Sequence, residues 1–179
     1  MSEKVEKKET KNILITGKRQ IGKTTLIQNV LNMLNSSVAG YHTIPYEIEG
    51  VFQGYEIRNI ETNDKRPISK KQEDGTFQAI GDTFENFGVD CLHSAMNSFA
   101  DIIVMDEIGR FERHSKNFIT YIHNVFDSHK FVLAVLKKEP IEFIEEIKKR
   151  NDIFLIELDE VNAKEANEDI IRKYYNYYK

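Results

Sequence analysis

Four short stretches of the chain are apolar almost without interruption: Ile13 to Ile15, Ile102 to Met105, Phe131 to Leu136 and Ile153 to Leu158. Each is too short for a helix and is rich in Val, Ile, Leu and Phe, the pattern of strands buried on both faces. Between them lie segments with helical spacing: Thr24 to Asn35, Ser115 to Ser128, Pro140 to Arg150 and Lys164 to Tyr174. In PIEFIEEIKKR, Ile141, Ile144 and Ile147 fall on one face and most other positions are charged. Pro140 suits a first helical turn, and Lys148, Lys149 and Arg150 suit the negative end of the helix dipole. Strands alternating with helices predict an α/β fold, a parallel sheet with helices on both faces.

The middle of the chain breaks this rhythm. The extended pieces VFQGYEIRNI and TFQAI flank the polar run ETNDKRPISKKQEDG, which carries Pro67 and Gly75. Such turn chemistry predicts a hairpin-like insertion over residues 51–76. The first ten residues, MSEKVEKKET, cannot bury enough surface to offset their ordering entropy. A mobile charged tail over residues 1–11 is therefore expected, with residues 12–179 forming one domain.

Composition narrows the function by exclusion. The 40% hydrophobic and 30% charged content is that of an ordinary soluble protein. A formal net charge of −4 gives no general attraction for nucleic acid or anionic membranes, so any phosphate-binding site must be local. The one cysteine, Cys91, excludes an intramolecular disulfide and reads as a core thiol. With no signal peptide in the sequence, a cytoplasmic setting is expected. The apolar runs fall far short of the ~20 residues needed to cross a bilayer.

Candidate chemistry begins where the first apolar run ends. Gly17-Lys18-Arg19-Gln20-Ile21-Gly22-Lys23-Thr24 fits G-x-x-x-x-G-K-[ST], between the strand-like NILIT and the helix-like TTLIQNVLNML. Glycines let successive N–H groups turn inward, Lys23 reaches β- and γ-phosphates, and the Thr24 hydroxyl joins a Mg²⁺ shell. The helix start adds its positive end, and Thr25 completes the expected nucleotide-binding set. A second element, DIIVMDEIGR, ends an apolar run in Asp106 and Glu107. At the carboxyl end of a parallel strand, Asp106 is expected at the metal. Adjacent strand residues point to opposite sides, which leaves Glu107 for an attacking water.

At these residues the chain resembles the cancer-related nucleoside-triphosphatases, within the P-loop NTPases that have an additional strand and a catalytic glutamate. The family signature DEIGKMEL, followed by a serine and a phenylalanine, is similar to Asp106-Glu107-Ile108-Gly109-Arg110-Phe111-Glu112, then Ser115 and Phe118. Gly40-Tyr41-His42-Thr43 resembles its G-F-Y-T, and Gly54-Tyr55, Gly75-Thr76-Phe77 and Phe84-Glu85 resemble further pairs. The likeness runs from Ile13 to about Asn162. It implies a three-layer P-loop NTPase fold with five parallel strands, Phe131 to Leu136 lying between the phosphate-loop strand and the Asp106 strand. It also implies Mg²⁺-dependent hydrolysis of a nucleoside triphosphate, ATP or GTP, with loose choice of base.

Departures accompany the match. Lys18-Arg19-Gln20 stands where the family has Pro-Pro-Gly, Glu47 where an arginine is expected, and Asn162-Ala163 where the family has Asn-Arg. A positive charge at the γ-phosphate is the remaining requirement of hydrolysis. Arg110, at the family's lysine position, is the first candidate, followed by Arg19 and Lys18. The five histidines have no close metal-ligand spacing, and only His42 falls near the nucleotide by position. Two other functions share the same loop: a small-molecule or nucleotide kinase, and a nucleotide-binding switch without turnover. A kinase calls for an arginine-rich lid, and the 51–76 insertion offers only Arg58 and Arg66.

Overall fold

The computed structural model describes residues 10–179; residues 1–9 of the expected tail lie outside the described residues. Five strands run parallel: β1 (Asn12–Gly17), β2 (Val38–Ile48), β7 (Ile102–Ile108), β8 (Phe131–Leu136) and β9 (Ile153–Leu158). Their order across the sheet is β2-β7-β8-β1-β9, so β8 separates the phosphate-loop strand from the Asp106 strand. Two antiparallel strands, β3 (Val51–Asn59) and β4 (Lys65–Pro67), extend the sheet beyond β2 to seven.

The runs in β1, β7 and β8 bury both faces because their side chains alternate, whereas β9, expected to do the same, is an edge strand with Leu155 and Glu157 exposed. Leu14, Ile103, Met105, Val132, Ala134 and Leu136 enter one core with residues of α3 (Val89–Asn97), α4 (Lys116–Asp127) and α5 (Glu142–Lys148). Ile13, Ile15, Ile102, Val104, Leu133 and Val135 enter the other with α1 (Lys23–Leu34) and α6 (Ala163–Tyr177). The expected three layers result, and the four helices anticipated from spacing are α1, α4, α5 and α6.

Two elements carry no clear periodicity. β2 is interrupted by Gly40 and Pro45, yet both residues fit their places. A Cβ at Gly40 would lie 2.0 Å from Val104 O, so only glycine lets β2 approach β7. Pro45 lies beyond His42, the last β2 residue paired with β7. The second element runs from α2 (Gly81–Thr83) through a π-helical turn at Phe84–Gly88 into α3. Gly88 breaks its pattern because a Cβ there would press to 2.8 Å on the Phe118 ring.

The insertion is a hairpin whose first strand is β2, ahead of the expected span. Its outer part is a separate two-stranded ribbon, β5 (Ser69–Lys71) with β6 (Phe77–Ala79). Among the described residues, no helix is long and apolar enough to cross a membrane.

Candidate active site

Register aligns the functional strand ends. His42 pairs with Asp106, Asp106 with Val135, and Val135 with Ile15, so one row crosses β2, β7, β8 and β1. Gly17 lies two residues past that row, at the carboxyl end of the parallel strands, where open α/β sheets form their ligand crevice.

The loop between β1 and α1 is shaped by three left-handed residues: Gly17 at φ 146°, Gln20 at φ 62° and Gly22 at φ 101°. A Cβ on Gly17 would come within 2.5 Å of Leu158 O, which accounts for glycine at the loop's start. Gln20 is no glycine and takes the left-handed conformation all the same. Lys18, Arg19, Gln20, Thr24 and Thr25 are exposed, whereas Lys23 is buried and Ile21 and Gly22 are partly covered. The Lys23 ammonium curls beneath the loop, donating to Gly17 O at 3.2 Å and Lys18 O at 2.8 Å. The α1 N-terminus has no side-chain cap and no acidic residue in its first turn, which leaves its N–H groups directed at the crevice.

Across the crevice, Asp106 is buried. His42 Nδ1 lies 3.6 Å from Asp106 Oδ2, too far for a hydrogen bond, and makes none elsewhere. The Asp106–Glu107 peptide is cis, and the pairing of β7 with β8 shifts between Asp106 and Ile108. Glu107 is half-buried, and its Oε1 lies 3.0 Å from Lys137 Nζ. Burial lowers the pKa of Lys23, Glu107 and Asp106 oppose that change, and Lys137 reinforces it. The structure thus brings Lys23, Asp106 and Glu107 into mutual electrostatic reach.

Arg110 is exposed, its guanidinium 5.3 Å from the Phe111 ring centre. The same short 3₁₀ turn, Arg110–Glu112, buries Glu112, whose Oε2 accepts the Gly109 N–H at 3.0 Å. Burial pushes the Glu112 carboxyl up to about 7, against the backbone hydrogen bonds and Lys137, which lower it. The motifs do not mark Lys137. The available signal was its position as the first residue after the β8 run, at the sheet end shared with Gly17 and Asp106.

Beside the loop, a groove of about 520 Å³ opens between α1 and α6, lined by Ile21, Thr25, Leu158, Ala163 and Asn167 among others.

Residues 12–171 match the model of the NTPase family. The chain belongs to that family. Its relatives in the NTPase family include nucleoside-triphosphatase THEP1 of Thermotoga sp. strain RQ2, 32% identical over 163 residues that cover 89% of this chain and 92% of the relative. The cancer-related nucleoside-triphosphatase homolog of Mus musculus is 26% identical, covering 90% and 95% of the two chains. Among solved structures, that of THEP1 from the hyperthermophile Aquifex aeolicus superposes with a TM-score of 0.72 at 27% identity, covering 90% of this chain and 97% of that one.

Proposed function

We propose that the protein hydrolyses nucleoside triphosphates to diphosphate and phosphate, with Glu107 as general base. The observation that carries this reading is the gathering of Lys23, Asp106 and Glu107 at one end of the sheet, opposite the uncapped start of α1. The water oxygen attacks the γ-phosphorus while Glu107 takes its proton. The bond from the γ-phosphorus to the bridging oxygen breaks, and its electron pair leaves with the diphosphate. Lys23 and the loop N–H groups neutralise charge on the phosphate oxygens, which is the larger part of catalysis in phosphoryl transfer.

Thr24 and Asp106 are oxygen donors of the kind Mg²⁺ prefers. Among the described residues no cluster of three or more His, Cys, Asp or Glu gathers, which suits an ion that keeps waters and phosphate oxygens in its shell. These residues fit Mg²⁺, which when bound would offset charge on the β- and γ-oxygens. The groove beside Thr25, with Ala163 on its wall, is the place for the base. A kinase reading is disfavoured by Arg66, which stacks on Phe87 at 5.2 Å, and by a general base suited to water.

Multiple-turnover phosphate release from purified protein with MgCl₂ and each nucleoside triphosphate is the test. Hydrolysis predicts release without any acceptor. Acceptor-dependent diphosphate formation would indicate a kinase, and binding without release a switch. Glu107→Gln is expected to keep nucleotide affinity and lose ~10²–10⁴ in turnover. Unchanged release by that variant would remove Glu107 from the reaction.

A further inference from the structure

The cation paired with Glu107 comes from outside both sequence motifs. Lys137 directly follows β8, the strand between the phosphate-loop strand and the Asp106 strand, and its Nζ lies 3.0 Å from Glu107 Oε1. Several independent features fix it there. Its backbone N–H donates to Ile108 O at 2.9 Å, tying it to the residue after Glu107. Its ammonium stands 5.7 Å from the Tyr55 ring centre and 5.6 Å from that of Phe111, contacts that attract a cation to the ring faces. Phe111 and Tyr55 in turn pack on each other, with centroids 6.0 Å apart.

Gly109 completes the cage. A Cβ at this position would lie 2.8 Å from Lys137 Cδ, and the φ of −151° does not itself call for glycine. The passage of the Lys137 stem does. Lys137 also lies near enough to Lys23 to bear on it electrostatically. Arg110, the cation expected from sequence at the γ-phosphate, is exposed over Phe111.

We propose that Lys137 is the positioning residue for Glu107, holding one carboxylate oxygen so that the other is presented to the attacking water. This rests on Glu107 as the general base. A carboxylate bound through one oxygen loses the rotation that would otherwise carry it out of reach, and misplacement of a reacting group by about 1 Å costs on the order of 10²-fold in rate. The aromatic faces and the absent Cβ at 109 have one common consequence, a lysine whose own rotamers are restricted.

Variants at residues 137 and 109, and Lys137→Met combined with Glu107→Gln, test it by steady-state and single-turnover phosphate release. Lys137→Met keeps the stem and removes the charge; we expect kcat to fall about 10–100-fold, with KM and the affinity for a non-hydrolysable triphosphate analogue within about twofold of the parent. Lys137→Arg should restore most of the loss. Gly109→Ala leaves the charge but displaces the stem, and should lower kcat in the same direction. In a Glu107→Gln background, Lys137→Met should change the single-turnover rate less than about twofold, because the group it positions is gone. An unimpaired Lys137→Met, losses that multiply in the double variant, or a parallel fall in analogue affinity would each overturn the proposal. Melting temperatures of all variants detect a folding defect, in which case Lys137→Arg and the double-variant comparison decide. If Glu107→Gln turns over like the parent, the general-base reading itself fails; if it is inactive while Lys137→Met is normal, only the positioning role fails.

Discussion

Glu112 should make the protein less stable as pH rises from weakly acidic to weakly basic, and Glu112→Gln should abolish that dependence. The carboxyl is buried behind the Arg110–Glu112 turn, and burial moves its pKa from the ordinary 4.5 to about 7. At 1.36 kcal/mol per pH unit, ionising it in the folded chain costs about 3 kcal/mol more than in the unfolded chain. The sign follows from proton counts. Between pH 4.5 and 7 the folded chain keeps a proton that the unfolded chain has released, so stability falls with rising pH, and the loss is complete by about pH 8. Three kcal/mol is a large part of the ~5–15 kcal/mol that holds a typical domain together. Glutamine is nearly isosteric, retains a carbonyl oxygen to accept the Gly109 N–H, and does not titrate. Urea unfolding of both proteins at intervals from pH 5 to 9 measures the difference directly. The stability of Glu112→Gln relative to the parent should rise by about 3 kcal/mol across that range. A difference that stays constant with pH would refute the reasoning, because it would mean that Glu112 ionises in the folded chain as easily as in the unfolded one.

Two backbone positions give further expectations. Gln20 holds φ 62°, where a side chain costs ~1–2 kcal/mol and glycine nothing, so after glycine's greater unfolded entropy Gln20→Gly should stabilise by about 0.5–1 kcal/mol. Calorimetry should show a melting temperature about 2 °C higher, and a decrease would contradict the strain at this residue. Gly40→Ala forces a Cβ to 2.0 Å from Val104 O at φ 111°, and should destabilise by about 3 kcal/mol or more. Near-parental melting of that variant would show that β2 and β7 can separate without consequence.

Much of the architecture was readable because burial on both faces writes itself as continuous apolar runs. β1, β7 and β8 were legible for that reason, and α1, α4, α5 and α6 from helical spacing; β9 was found from its apolar residues, although as an edge strand it leaves Leu155 exposed. β2 was not, since its pairing with β7 depends on a glycine whose value lies in the neighbour it approaches, and one residue in a single chain does not reveal that neighbour. The π-helical turn before α3 was hidden likewise, because Gly88 is explained by Phe118, thirty residues away in sequence. The strand order came from family resemblance, since apolar runs carry no information about which strand lies beside which.

The site divides along the same line. In the proposed reaction Gly17, Gly22, Lys23 and Thr24 act through local backbone geometry and spacing, and local spacing is what a motif records. Lys137 acts across strands, through Glu107, Tyr55, Phe111 and Gly109, contacts that exist only once β8 is placed beside β7. The loop residues Lys18, Arg19 and Gln20 show why the departure from the family's small residues is tolerated. Their side chains are exposed, and what the crevice uses of Lys18 is its carbonyl, which accepts the Lys23 ammonium. A backbone carbonyl is supplied by any residue, so the loop constrains conformation at 18–20 far more than side-chain identity. Gln20 marks the limit of that freedom, because there the required conformation is left-handed and the residue is not glycine. The positive charges at 18 and 19 are then free to act on whatever approaches the loop from solvent, without altering the cradle beneath them.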